Sequence, residues 1–450
     1  MPNTRRQEIF RHINVALLFL TAGAFIASQF LFLTLACLWL LLAMMEWNWK
    51  ERYNTLKDSH LLPLAACCLG LYLCYLFSPL LSDNVGKAIS DWEYKIWFLV
   101  APICVMPLIP KLQRKELSLA MILFTVPILL WAVISMGHSA YMYHQTGHTF
   151  HLFYQHACLQ TSIPLTFCHP SYFAMYEIIA WIIAAEMLLR KNKWIEHRRL
   201  RIGVAVLMWS SLLILPVHIF FLQSKMGFVL FGVTLLIYVV IALNRGKRRW
   251  VLTALVLAAI IGSVAGYIYK EHGRVTKNCD NRIANSFINL KTADRDDPRE
   301  SSAIRIALWK SAIEIGKDHW FCGIGSGDVL DELHDKAVEH HYAYISSGKF
   351  NCHNQYLQIW LGVGIIGLLL FISIFGIAFY ICVRKRSLGG SIIIVIFALN
   401  LFVECMLERY AGATLIPILT AFICSIPPAM PSAGKSASHS REALPSASCA

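Results

Sequence analysis

The stretch that decides the fold is CHNQYLQIWLGVGIIGLLLFISIFGIAFYIC, residues 352–382, in which a polar head runs into a long apolar segment. Residues 356–382 carry no charged side chain and exceed the ~20 residues that cross a bilayer as a helix. Backbone groups in lipid must bond within their own segment, so this run predicts a transmembrane helix. The polar head closes the interval 271–355, which is the one large polar segment of the chain.

Similar apolar runs recur along the 450 residues, of which 57% are hydrophobic and only 15% charged. A soluble domain carries roughly a quarter charged residues, so the composition indicates a membrane protein. We predict an all-α polytopic fold with about twelve transmembrane helices. The predicted spans are 12–28, 30–46, 60–81, 93–110, 118–137, 170–189, 202–222, 226–243, 250–270, 356–382, 390–408 and 411–430.

Basic residues predict the orientation of these helices. One set of alternate loops is rich in Lys and Arg, whereas the short loops of the other set are poor in both. By the positive-inside rule, the basic loops and both termini are cytoplasmic. The loop 138–169 and the interval 271–355 then face the periplasm or the cell exterior. The net charge of +13 is scattered over many loops, which argues against a nucleic-acid-binding surface.

This orientation divides the chain into four parts. Residues 1–270 are expected to form transmembrane helices 1–9, and residues 271–355 a large periplasmic loop with active-site elements. Residues 356–430 are expected to form helices 10–12, and the Ser/Pro/Ala-rich residues 431–450 a disordered cytoplasmic tail. Disulfides can form on the outward side, but the sequence does not assign the pairing of its five cysteines. These are Cys158, Cys168, Cys279, Cys322 and Cys352.

The large outer interval has helical signals of its own. Asp297-Pro298-Arg299-Glu300 is typical of a helix start, and we expect this helix to stop at Gly316. Arg305 and Trp309 lie four residues apart and therefore share a face. The Gly-rich segment 323–328 follows no strand and lacks a P-loop lysine, so a tight turn is favoured over a phosphate cradle.

Three residues are candidates for chemistry. His353 lies at the start of a helix, whose dipole favours the neutral imidazole that a general base requires; the alternative is a capping or structural histidine. Arg305 is an outward cation suited to phosphate or diphosphate, unless it is solvated or ion-paired. Lys225 lies in a very short outward turn near the hydrocarbon boundary, where a charge is either functional or snorkels to the interface.

Two motifs resemble a known family. His353-Asn354, nine residues and then Gly364-Ile365-Ile366-Gly367 are similar to the signature of bacterial O-antigen ligases. Arg305-x-x-x-Trp309, followed by the Gly-rich segment, resembles elements of the wider O-antigen ligase/polymerase superfamily. His169 at the start of a span and the segment 404–412 are also similar to that superfamily. The resemblance covers roughly residues 165–425.

The resemblance implies a membrane glycosyltransferase of the GT-C-like type in the bacterial inner membrane, with its active site facing the periplasm. Its donor would be a glycan on undecaprenyl diphosphate, and the acceptor of a ligase would be a sugar of lipid A–core. Membrane lipids would surround the enzyme, and no metal or nucleotide cofactor is implied. Direct displacement by the acceptor hydroxyl would invert the anomeric carbon.

The resemblance also implies roles for single residues. His353 matches the histidine proposed as the family's general base, and Arg305 matches a loop arginine that binds diphosphate. The family places an arginine in the short turn where this chain has Lys225, which keeps the charge but loses the bidentate fork. Trp309, Asn354 and His169 are expected to support this site.

Three alternative functions remain open. An O-antigen polymerase or a protein O-oligosaccharyltransferase would share the fold, the donor and the site, although the His-Asn-x9-Gly-x-x-Gly spacing favours a ligase. A transporter or flippase would place polar groups at the bilayer midplane, and only Glu177, Glu186 and Glu404 are plausible buried ionisable residues here. The sequence leaves the sugars and their linkage undetermined.

Overall fold

The regular structure of the protein is helical. The computed structural model describes residues 2–24, 29–147, 170–189, 195, 197–222, 224–244, 301–342 and 345–425, and these contain no strand. The all-α prediction is therefore confirmed. The principal helices are α1 (Pro2–Gly23), α2 (Gln29–Glu46), α3 (Trp49–Asp58), α4 (Leu62–Phe77), α5 (Val85–Lys95), α6 (Trp97–Lys111), α7 (Arg114–Thr146), α8 (Pro170–Leu189), α9 (Arg198–Phe221), α10 (Lys225–Asn244), α11 (Ser301–Asp318), α12 (Val329–Glu339), α13 (Gln355–Arg384), α14 (Leu388–Asn400) and α15 (Tyr410–Ser425).

Six helices of the described residues are long and apolar enough to cross a membrane. They are Leu62–Leu80, Arg114–Thr146, Pro170–Leu189, Arg198–Phe221, Lys225–Asn244 and Gln355–Arg384. The number rises to eight if α2 with α3, bent by 107°, and α5 with α6, bent by 43°, each form one span. The count of twelve stays a prediction, and its ninth span, 250–270, lies outside the described residues.

Helix α13 is broken inside the apolar stretch 356–382. Val363 (φ −137°) and Gly364 (φ 71°) leave the helical conformation. The chain that follows α11 supplies partners for the backbone there. The amide of Ile324 donates to the carbonyl oxygen of Leu361 at 2.7 Å, and the amide of Ile365 donates to that of Trp320 at 3.1 Å. These backbone groups therefore remain hydrogen-bonded at the break, and the contacts attach the chain that follows α11 to α13.

The Gly-rich segment 323–328 is a packed turn. A Cβ on Gly325 (φ 90°) would lie 2.2 Å from the Ser82 hydroxyl oxygen, so only glycine fits this approach. The amides of Ser326 and Gly327 donate to the hydroxyls of Ser78 and Ser82 at 2.5 and 3.2 Å. These amides are engaged within the protein, which agrees with the predicted tight turn.

The helix that carries Arg305 does not stop at Gly316, contrary to the sequence prediction. It continues to Asp318. A Cβ on Gly316 would lie 2.5 Å from the Trp360 ring. The glycine therefore makes room for this ring between α11 and α13, and packing outweighs its weak helix propensity.

The segment 390–408 is a helix only as far as Asn400, so its last part differs from the predicted span. Residues 401–409 form a loop, and Gln355 forms hydrogen bonds with it at two positions. The amide of Gln355 donates to the carbonyl oxygen of Leu401 at 2.8 Å, and its side-chain oxygen accepts from the amide of Leu407 at 2.7 Å. The chain can leave the helix because these contacts satisfy its backbone groups.

Candidate functional site

One face of α11 holds two loops at the same end of the helix bundle. Arg305 Nη2 donates to Glu404 Oε1 at 3.2 Å, which reaches the loop 401–409. Trp309 Nε1, one turn further along, donates to the carbonyl oxygen of Cys352 at 3.0 Å. The four-residue spacing therefore has a structural reason, because each side chain fixes a different loop from one helix face.

His353 stands outside the helix that follows it. Its backbone is left-handed (φ 45°), and its amide donates to Asn351 Oδ1 at 3.0 Å. Asn354 Oδ1 caps α13 by accepting from the amides of Tyr356 and Leu357 at 3.0 and 3.2 Å. A non-glycine residue in this conformation costs on the order of 1–3 kcal/mol, and such residues are frequent at functional sites. Asn354 thus has a capping role beside the imidazole.

The surroundings of His353 keep its imidazole neutral. Burial lowers the pKa of His353 to about 4, and the charge of Arg305 lowers it as well. The sequence argument expected a neutral histidine because of the helix dipole. The structure instead gives desolvation as the larger cause, followed by a neighbouring guanidinium. Arg305 and His353 are therefore electrostatic neighbours, although they lie 48 positions apart in the sequence.

Glu404 is the acidic member of this group. It is only 5% exposed, and burial raises the pKa of its carboxyl group. Arg305, a hydrogen bond from Ser171 and the charge of Arg409 act in the opposite direction. Arg305 Nε is buried and has no hydrogen-bond partner among the described residues. The Arg305–Glu404 pair therefore leaves this buried donor unsatisfied by the described residues.

Sequence reasoning noted Glu404 as a buried ionisable residue and as the start of a segment similar to the superfamily, but it missed the contact with Arg305. A signal was present, since an acid followed five residues later by Arg409 is unusual between apolar segments. The pairing itself joins residues 99 positions apart, so no local pattern could identify it.

Lys225 lies at the same end of the bundle and is connected to the site through α8. It is the first residue of α10, and a Cβ on Gly227 would come within 2.6 Å of the Ala174 Cβ. Near the start of α8, Ser171 bonds to Glu404, and the hydroxyl of Tyr172 donates to the carbonyl oxygen of Cys405 at 3.0 Å. His169, the remaining supporting residue, lies outside the described residues.

A buried ion cluster that sequence reasoning missed anchors the loop 401–409 from the other side. Lys95 is fully buried, and its Nζ lies 2.9 Å from Asp91 Oδ1 and 3.5 Å from Glu408 Oε1. It also lies 4.7 Å above the Tyr75 ring. Removing one member of such a cluster leaves an uncompensated buried charge, which is strongly destabilising. The loop that carries Glu404 is therefore attached to α5 at its far end.

Two of the five cysteines predicted to face outward fall within the described residues. Cys322 is exposed and Cys352 is buried, and both are free thiols. Cys352 belongs to a small apolar cluster beneath the site, together with Ala312, Ile315, Val329, Leu333, Leu361 and Cys405. This cluster packs α11 and α12 against the two loops. Cys158, Cys168 and Cys279 lie outside the described residues.

The comparison with protein families agrees with this geometry. Residues 209–372 match the family described as O-antigen ligase. The match begins within α9, ends within α13 and includes Lys225, Arg305 and His353. No curated protein matches the chain. The resemblance seen in the sequence is thus confirmed over residues 209–372, which are similar to the O-antigen ligase family.

Proposed function

We propose that the protein is an O-antigen ligase that transfers a glycan from undecaprenyl diphosphate to a sugar of lipid A–core. The reaction would take place at the periplasmic face of the bacterial inner membrane. The observation that carries the proposal is the neutral His353 beside the Arg305 guanidinium, one donor of which has no partner among the described residues. The twelve-helix, GT-C-like architecture with cytoplasmic termini belongs to the same proposal.

The reaction follows from the chemistry of these groups. Arg305 binds the donor diphosphate, and Lys225 is the second cation. The acceptor hydroxyl forms a bond to the anomeric carbon while the bond from that carbon to the diphosphate breaks, and undecaprenyl diphosphate leaves with the electron pair. His353 takes the hydroxyl proton and later releases it to water. Attack opposite to the leaving group inverts the anomeric carbon, and no step uses a metal or nucleotide.

Donor binding would also change the pKa of His353. The charge of Arg305 helps to hold the pKa of His353 near 4 in the free protein. A bound diphosphate would offset that charge, so the pKa of His353 would rise when the donor is present. The imidazole would then accept a proton more readily in the loaded enzyme than in the empty one.

Deletion of the gene, followed by gel analysis of surface glycans, tests the proposal against its alternatives. Lipid A–core without attached polymer would support a ligase. Core that carries a single repeat unit would indicate a polymerase, and normal lipopolysaccharide with underglycosylated proteins would indicate a protein O-oligosaccharyltransferase. These enzymes would share the donor and the site, so the acceptor alone separates them. Complementation with His353→Ala at matched expression should fail to restore the parental glycans.

A further inference from the structure

Arg409 lies at the edge of the candidate site and has no role in the reaction described above. It is the last residue of the loop 401–409, is exposed and has an extended backbone (φ −140°, ψ 143°). Its amide donates to the carbonyl oxygen of Met406 at 3.3 Å, and its own carbonyl oxygen accepts from the amide of Ala413 at 3.1 Å. The backbone is therefore fixed while the guanidinium reaches solvent.

Arg409 ends the loop that carries Glu404, but it is not the hydrogen-bond partner of that carboxylate. Its charge lowers the pKa of the Glu404 carboxyl group, although no hydrogen bond joins the two. The hydrogen bonds of Glu404 come from Arg305 and Ser171. The charges of two arginines thus act on one carboxylate, and Arg409 is the exposed one of the two.

Buried contacts hold the two residues that precede Arg409 in the loop. Glu408, the preceding residue, is 3.5 Å from the buried Lys95, and the amide of Leu407 is bound by Gln355. Gln355 lies two residues after His353. The loop that presents Arg409 is therefore fixed relative to the proposed base, as a binding residue requires.

We propose that Arg409 is a third cation of the donor site and binds the diphosphate together with Arg305. This inference rests on the proposed function. A guanidinium binds phosphate through two parallel hydrogen bonds, whereas the ammonium of Lys225 acts as a point charge. Arg305 and Arg409 would each supply a fork, one for each phosphate group. The set of Arg305, Arg409, Lys225 and Glu404 carries two net positive charges, which match the two negative charges of a diphosphate diester.

Kinetics of the purified full-length protein test this role. The rate of transfer from an undecaprenyl-diphosphate glycan is measured against donor concentration, and inorganic diphosphate is added as a competing probe. Arg409→Gln should lower kcat/KM for the donor by about ten- to a hundredfold, since one charge-assisted contact is lost. Inhibition by diphosphate should weaken with it, while the KM for the acceptor stays unchanged. Lys310→Gln, which removes an exposed cation from α11, is the matched control and should behave as the parent.

A second pair of variants tests whether the two parallel hydrogen bonds of a guanidinium are needed in addition to its charge. Arg409→Lys keeps the charge and should lose part of the activity. Lys225→Arg in that background should recover it, because a guanidinium is returned to the site. Parental kinetics and parental diphosphate inhibition in Arg409→Gln, with both lost in Arg305→Ala, would refute the role of Arg409 alone. Parental transfer in Arg305→Ala and His353→Ala as well would refute the proposed function.

Discussion

Trp309 holds the backbone next to His353. Its indole Nε1 donates to the carbonyl oxygen of Cys352 at 3.0 Å, from the same helix face that directs Arg305 to Glu404. One helix therefore sets the position of the imidazole relative to the guanidinium. This relationship gives Trp309 a positioning role in the proposed reaction.

Trp309→Phe should keep the ring and lose this hydrogen bond. A neutral hydrogen bond contributes about 1 kcal/mol, so kcat should fall roughly fivefold while the donor KM changes little. Trp360→Phe is the matched control, because its indole donates to the carbonyl oxygen of Trp320 at 3.0 Å, away from His353. An equal loss of kcat in both variants would show that Trp309 acts through general stability. Steady-state transfer kinetics make the comparison.

The pH dependence of transfer should report the lowered pKa of His353. A base must be neutral, so kcat/KM should fall only as the pH drops towards about 4, and not near the ordinary value of 6.5. Arg305→Gln should move this acidic limb to higher pH, because one of the two causes of the lowered pKa is removed. Burial remains, so the limb should stay below 6.5. An acidic limb near 6.5 in the parent would contradict the lowered pKa of His353.

His353→Ala should remain folded and inserted but lose transfer activity. A positioned general base contributes on the order of 10²–10⁴-fold, which is the loss we expect in kcat. His319→Ala, a change in a histidine of the turn after α11, is a suitable comparison and should retain activity. Near-parental transfer by His353→Ala at matched expression would reduce His353 to a structural residue.

Lys225 and Arg305 should both act on the donor diphosphate. Lys225→Ala and Arg305→Ala should each cost about 1.5–3 kcal/mol of transition-state stabilisation, or roughly ten- to a hundredfold in rate. The double variant should lose less than the product of the single losses if both bind one diphosphate. Lys225→Arg should retain activity because the charge persists. Should Lys225→Ala transfer as well as the parent, the lysine only snorkels to the interface.

Gly364 should be sensitive to a single added methyl group. It has a φ of 71°, and a Cβ would lie 2.0 Å from the carbonyl oxygen of Phe321. Gly364→Ala should therefore lower Tm and detach the outer helices from α13, at a cost of at least about 1–3 kcal/mol. Gly376→Ala on the same helix meets nothing within 4 Å and should leave Tm unchanged or slightly raised. Thermal unfolding in detergent compares the two, and equal Tm values would contradict the packing at the break.

Reporter fusions test the orientation on which the periplasmic site depends. The distribution of Lys and Arg predicts that a reporter at Ser347 lies outside and that both termini lie inside. A cytoplasmic reporter at Ser347 would reverse the topology and exclude a periplasmic reaction.

Local patterns in the sequence determined the helical membrane class and the shared face of Arg305 and Trp309. These features depend on hydropathy and on the helical repeat, both of which act over a few residues. The tight turn at residues 323–328 was predicted in the same way. The C-terminal end of α11 was not predicted correctly. Gly316 lies inside the helix because it makes room for the ring of Trp360, which is distant in the sequence.

Only the tertiary structure decided which charges meet. Glu404 reaches Arg305 and Glu408 reaches Lys95 because helices distant in the sequence pack at one end of the bundle. The same packing buries His353 beside a guanidinium, so desolvation, more than the helix dipole, lowers its pKa. Burial and charge pairing depend on neighbours in space, and a single sequence contains no local signal that specifies those neighbours.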